Sequence, residues 1–169
     1  SGFLGSGKTT WLRHQLHASH YRHAAVIVNE AAPAPVDDAL LADLARLTVI
    51  SGGCACCTKR DEFLACLRDL SDTRLRAGDA ADFFDSIILE TSGLADPAAI
   101  VAAIGNDPML VHHVVVDRVI VTVDAAYGLR SLQTDALARS QVTHADHLIV
   151  TKVDGIDRQT VATLCATLH

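Results

Sequence analysis

Short apolar runs alternate with longer stretches whose apolar positions recur at helical spacing, a pattern that predicts a mostly parallel sheet covered by helices, an α/β fold. The runs AAVIVN (Ala24 to Asn29), LTVI (Leu47 to Ile50), SIILE (Ser86 to Glu90), RVIVTVD (Arg118 to Asp124) and HLIVTK (His147 to Lys152) read as buried strands. Helices are expected over Lys8 to Ala18, Asp37 to Ala45, Thr58 to Asp69, Pro97 to Ala103 and Ala125 to Arg139, with Thr58, backed by Asp61 and Glu62, as a cap. The prolines of AAPAP (Ala31 to Pro35) make a loop after the first of these strands, and RAGDAAD (Arg76 to Asp82) reads as a surface connection. Asn29, Glu30, Ser51, Glu90, Asp124 and Thr151 all fall at strand ends, where a doubly wound sheet binds its ligands.

The first helix is preceded by SGFLGSGKTT, which satisfies G-x-x-x-x-G-K-[ST] with Gly2, Gly7, Lys8 and Thr9. Glycines let the backbone wrap closely enough to aim its N–H groups at phosphate oxygens, and the helix adds its positive end. Lys8 is expected to reach the β and γ phosphates, and the Thr9 hydroxyl to help coordinate Mg²⁺. Gly5 and the continuation Thr10-Trp11-Leu12 strengthen the match. A loop of this kind follows a strand, so the chain is expected to be a piece of a longer protein whose first strand lies outside it.

Two further motifs follow strands. ETSGLADP (Glu90 to Pro97) sets an acid at a strand tip, suited to ordering the Mg²⁺ shell or an attacking water. Its Gly93 lets the backbone approach the γ phosphate. VTKVDG (Val150 to Gly155) resembles the guanine-reading N-K-x-D. The Asp154 carboxylate can accept from both the ring N–H and the exocyclic amine of guanine, a donor pair that adenine lacks. Lys152 would lay its stem along the base, and Thr151 stands where Asn is usual.

Composition changes the picture mainly at the cysteines. The 169 residues fit one domain with a proper core, and a net charge of -6 gives no reason to expect a nucleic-acid partner. No apolar run approaches the roughly 18 residues of a membrane span. Of five cysteines, Cys54, Cys56 and Cys57 crowd into SGGCACCTKRDEF, between two glycines and a helix start. Their sulfurs can converge on one soft metal ion, with the helix end, Lys59 and Arg60 expected to lower the thiol pKa values. A closed structural zinc site wants four ligands, so a three-thiol site reads as open or completed from elsewhere, which suits a metal that must be released. The other reading is a buried or redox-reactive cluster, since Cys54 and Cys57 formally make C-x-x-C. Cys66 is expected to pack in the core. His14, His17, His20 and His23 sweep round a helix and read as exposed polar positions, whereas His112 and His113 could approach the thiols.

Taken in order, GFLGSGKTT, GGCACC, ETSGLADP and TKVD resemble the CobW-like family of P-loop GTPases, which is associated with cobalt and zinc handling and related to the nickel-insertion GTPases. The resemblance spans residues 1–169 and implies a SIMIBI-type three-layer P-loop fold, truncated at both ends because family members continue into a smaller C-terminal domain. It implies GTP as the nucleotide, with Gly5, Ser6, Gly7, Lys8, Thr9, Thr10 and Gly93 on the phosphates and Thr151, Lys152 and Asp154 on the base. It further implies Lys8, Thr9 and Glu90 as the catalytic set, Mg²⁺ on Thr9 and Glu90, and Zn²⁺ or Co²⁺ on Cys54, Cys56 and Cys57. The implied partner is a client metalloprotein, with a nucleotide-dependent homodimer as one assembly. Reduced thiols and GTP use suggest the cytoplasm. The family's N-E-F-G-E segment reads Asn29-Glu30-Ala31-Ala32-Pro33 here, with Asp37 kept, so a carboxylate is missing from the implied switch loop. The alternatives are a nickel-type insertion GTPase and a non-hydrolysing metal or redox module with a vestigial phosphate loop.

Overall fold

The computed structural model describes residues 1–18, 20–21, 23–30, 46–51, 53–77 and 84–168. The expected loop at Ala31 to Pro35, Asp37 and the helix expected at Asp37 to Ala45 lie outside the described residues. Within them the order is α1 (Lys8–His17), β1 (Ala24–Glu30), β2 (Arg46–Ser51), α2 (Arg60–Ala77), β3 (Ser86–Glu90) and α3 (Pro97–Gly105). A 3₁₀ turn (Leu110–His112) follows, then β4 (Ile120–Asp124), α4 (Gly128–Thr134), α5 (Ala136–Thr143), β5 (His147–Thr151) and α6 (Arg158–Leu168).

Every strand pair is parallel, in the orders β2-β1-β3 and β4-β5. Val28 stands opposite Val49 and Glu90, and Asn29 opposite Ile50. Gly2 joins the second sheet through a parallel bridge to Thr122. A cleft of about 530 Å³, lined by Phe63, Ile88, Val114 and Ile120 among others, lies between β3 and β4.

Alternation along β1 sets the layers. Ala25 and Ile27 face Phe63, Leu64 and Leu67 of α2 and Ile100 and Ile104 of α3, whereas Val26 and Val28 pack on Leu12 and Leu16 of α1. In the second sheet Val121 and Val123 pack against Leu164 of α6. The helix expected over Ala125 to Arg139 is two helices. Asp135 takes an extended conformation and its side chain accepts from Leu137 N, so it ends one helix and caps the next. α2 starts at Arg60 and runs to Ala77, past the expected end, and Thr58 is not its cap: the Thr58 hydroxyl accepts from Cys54 N at 2.9 Å. No helix among the described residues is long and apolar enough to cross a membrane.

Candidate nucleotide and metal site

The polar strand-end residues line up at the carboxyl edge of both sheets, and the phosphate loop meets that edge. Gly2, Gly5 and Gly7 have φ of 135°, 73° and 84°. Gly2 also admits no Cβ, which would fall 2.5 Å from Thr122 O. The Ser6 and Thr122 hydroxyls are 2.7 Å apart, and the Thr151 hydroxyl donates to Ser6 O at 2.7 Å and Val123 O at 3.3 Å. Thr in place of the usual Asn thus ties the end of β5 to the phosphate loop. Lys8 Nζ donates to Phe3 O at 3.2 Å, and Trp11 N to Gly7 O at 2.9 Å, starting α1 from the loop. Thr10 is exposed.

Glu90 is buried, 4% exposed, and its Oε1 accepts from the Thr9 hydroxyl. A hydroxyl and a carboxylate in contact at the phosphate loop form an oxygen donor set that fits a hard ion keeping several waters, such as Mg²⁺. Gly93 presses on the loop, since a Cβ there would lie 2.6 Å from Leu4 Cα.

On the other side of the loop Lys152 holds φ 55°, a left-handed conformation uncommon outside glycine, and its Nζ pairs with Asp124 Oδ2 at 2.8 Å. Asp124 Oδ1 accepts from Ala126 N at 2.8 Å and Tyr127 N at 3.2 Å. Burial works against the Asp124 carboxylate, but the Lys152 hydrogen bond and these amides outweigh it and hold its pKa below the ordinary range. Asp154 stands exposed in the turn that follows.

The three thiols converge: the Sγ atoms of Cys54, Cys56 and Cys57 all lie within 4.8 Å of one another, with Cys56 and Cys57 at 3.8 Å. A tetrahedral zinc with Zn–S bonds of about 2.3 Å sets its sulfurs about 3.8 Å apart, so this pair already has a ligating spacing. Cys54 is buried, Cys56 half-buried and Cys57 exposed. The expectation that Lys59 and Arg60 acidify the thiols needs correcting. Lys59 pairs with Glu62 and Arg60 donates to Cys56 O. Burial pushes the Cys54 thiol up to about 12, whereas the hydrogen bond from the Thr58 backbone lowers Cys57. Among the described residues the cluster comprises these cysteines alone, without His112 or His113. Cys66 packs against the core, and His14, His17, His20 and His23 are exposed, as expected.

Asn29 builds this loop. Its side chain is fully buried, its Nδ2 donates to Gly53 O at 2.7 Å and Ile50 O at 3.3 Å, and its Oδ1 accepts from Ala55 N at 2.8 Å. The carboxamide therefore grips the backbone on both sides of Cys54. Asn29 and Asp124 were visible as strand-end polar residues but had no assigned role. Gln141 was missed, although it sits among apolar positions at helical spacing, Ala138, Val142 and Ala145.

A phosphate loop closing on a parallel sheet, with an acid at the tip of β3 bonded to Thr9, defines a nucleotide-binding α/β domain of the P-loop GTPase fold. The chain belongs to the CobW/HypB/UreG family: that family's nucleotide-binding domain matches residues 1–169. It is 38% identical to the zinc chaperone YjiA of Escherichia coli, over 91% of this chain and 48% of that protein. It is 32% identical to the zinc chaperone CobW of Pseudomonas aeruginosa, over 99% of this chain and 51% of that protein. The chain thus spans about half the length of these curated relatives. Zn(II)-bound YjiA GTPase superposes with a TM-score of 0.67 at 27% identity, covering 99% of this chain and 51% of that one. Nickel-bound HypB from Helicobacter pylori shares the fold, with a TM-score of 0.63 at 18% identity, covering 99% and 71%.

Proposed function

We propose that this chain is the GTP-hydrolysing part of a cytoplasmic metallochaperone that carries Zn²⁺ or Co²⁺ on Cys54, Cys56 and Cys57 and passes it to a client metalloprotein according to nucleotide state. The observation that carries the reading is the end of β1. Val28 lies opposite Glu90, which is bonded to Thr9, and the next residue, Asn29, holds the cysteine loop. One strand end therefore pairs with the strand of the hydrolytic acid and holds the backbone of the cysteine loop, a route by which a shift of either would reach the other. That two relatives are named zinc chaperones favours Zn²⁺.

In the mechanism, Lys8 exchanges the Phe3 carbonyl for the β and γ phosphates of GTP, and Asp154 accepts from the guanine edge. Thr9 and Glu90 would hold Mg²⁺, which supplies neutralisation of the charge between the β and γ phosphates. Glu90 orders a water whose oxygen bonds to the γ phosphorus as the bridging P–O bond breaks. The electron pair leaves on GDP, and the water's protons end on inorganic phosphate and solvent. Hydrolysis relaxes the strand end and alters the hold on the metal.

The test uses the full-length protein, measuring phosphate release from GTP and Zn²⁺ stoichiometry. Wild type should turn over GTP and bind about one Zn²⁺ at the thiol site. Lys8→Ala should lose turnover alone, and the combined Cys54→Ser, Cys56→Ser, Cys57→Ser variant should lose Zn²⁺. Absence of turnover in wild type, or full Zn²⁺ binding by the triple variant, refutes the reading.

A further inference from the structure

We propose that Gln141 is a positioning residue for the turn that meets the γ phosphate, clamping Gly93 and Ala95 from the far side of the phosphate loop; this rests on the GTPase reading above. Gln141 lies on α5 and is 1% exposed. Its Nε2 donates to Ala95 O at 2.8 Å and to Gly93 O at 3.3 Å. Because both partners are carbonyls, only the NH₂ end of the carboxamide can face them, and its two donors match the two acceptors. The neighbouring Ser140 hydroxyl donates to Asp96 Oδ1 at 3.4 Å, and the same oxygen accepts from Ala98 N at the start of α3. Consecutive residues of one helix therefore hold positions 93, 95 and 96.

The turn needs such a hold. Leu94 N donates to Ser92 Oγ at 3.2 Å and Ala95 N to Ser92 O at 3.0 Å, but Gly93 itself has no side chain to restrict its backbone. On one side Gly93 abuts Leu4 of the phosphate loop, and on the other its carbonyl is held by Gln141. Fixing that carbonyl fixes the peptide plane after Gly93, and with it the range over which the preceding N–H can swing toward a γ phosphate.

Apolar packing does not account for the residue. Gln141 Oε1 is buried with no hydrogen-bond partner among the described residues, a cost that Leu or Met would avoid. Gln141 also lines a cavity of about 230 Å³ bounded by Phe3, Leu4, Ser6 and Val142, so the helix reaches the underside of the loop. The clamp joins the two sheet systems at the point where GTP and GDP differ.

The experiment compares wild type, Gln141→Met and Ser140→Ala in the full-length protein, reading kcat for GTP hydrolysis and the affinities for GDP and a non-hydrolysable GTP analogue. Gln141→Met keeps the volume and removes both donors. It should lower kcat by about 10- to 100-fold, the scale of a misplaced reacting group, and weaken the GTP analogue while leaving GDP affinity unchanged. Ser140→Ala, which removes a longer bond, should shift the same ratio in the same direction by less. Unchanged kcat and an unchanged GTP-to-GDP ratio in both variants overturn the proposal, as does parallel loss of both nucleotides. If wild type itself turns over no GTP, the GTPase reading has failed and the inference falls with it, an outcome separate from failure of the variants alone.

Discussion

Replacing Asn29 with Leu keeps the volume at the end of β1 but removes the three hydrogen bonds that shape the cysteine loop. Leucine can neither donate to Gly53 O and Ile50 O nor accept from Ala55 N. The bonds at 2.7 and 2.8 Å are the strong ones, and stranding their partners costs roughly 1 to 3 kcal/mol each. A loss of about 2 to 6 kcal/mol against a stability of about 5 to 15 kcal/mol lowers the melting temperature and, over most of that range, leaves the domain folded. Groups that orient metal ligands typically carry about 10- to 100-fold of the affinity. Asn29→Leu should therefore weaken Zn²⁺ by about that factor, or about 1.4 to 2.8 kcal/mol. The assay is chelator competition for Zn²⁺, with the thiolate charge-transfer bands of Co²⁺ reporting the ligand geometry. Unchanged affinity and unchanged bands in a variant that melts earlier would refute the argument, because the thiols would then assemble without the carboxamide.

Thr151→Val removes the hydroxyl that holds Ser6 O, and should weaken GDP and GTP alike by about 3- to 10-fold, since both use the loop; no change contradicts the tie. Zn²⁺ affinity should rise by at least about tenfold per unit between about pH 6 and pH 8, because the Cys54 thiol, pushed up to about 12, must release its proton to bind; a flat profile excludes it as a ligand. The Arg68 hydrogen bond, with the amides of Leu110 and Met109, holds the Asp107 pKa down to about 2. Its contribution to stability is complete above the ordinary carboxylate range and is lost as pH falls through about 2. Asp107→Asn should therefore flatten the melting temperature between about pH 4 and pH 2, and an unaltered pH profile would contradict this.

The strands were legible because a buried parallel strand is a continuous apolar run, and SIILE coincides with β3 residue for residue. Helix ends were less so. The break at Asp135 depends on one side chain choosing to cap, and α2 runs to Ala77, directly before Gly78, taking in Arg76 and Ala77 of the stretch expected to be a surface connection. α6 was not anticipated, its sequence RQTVATLCATL being rich in β-branched residues that favour helix weakly. Of the candidate site, the phosphate loop, Glu90 and the thiols were legible as motifs because each is local, and the structure brings Thr9 to Glu90 and the three sulfurs together. The residues that align them are not local: Asn29 reaches Ala55 across 26 positions and Gln141 reaches Ala95 across 46, and only the folded chain brings them together. The helix start does lower Cys57 as expected, but burial raises Cys54, and Lys59 and Arg60 turn to Glu62 and the Cys56 carbonyl, local pairings that the motif alone does not show.

The most direct test is Zn²⁺ affinity of the full-length protein with a non-hydrolysable GTP analogue, with GDP, both with Mg²⁺, and without nucleotide. Because the end of β1 contacts both the strand of Glu90 and the cysteine loop, the account predicts different affinities in the GTP-like and GDP states, and loss of that difference when Cys54, Cys56 and Cys57 become Ser. Equal affinities in all three states would contradict the coupling, leaving a nucleotide-binding domain whose thiols bind metal independently of it.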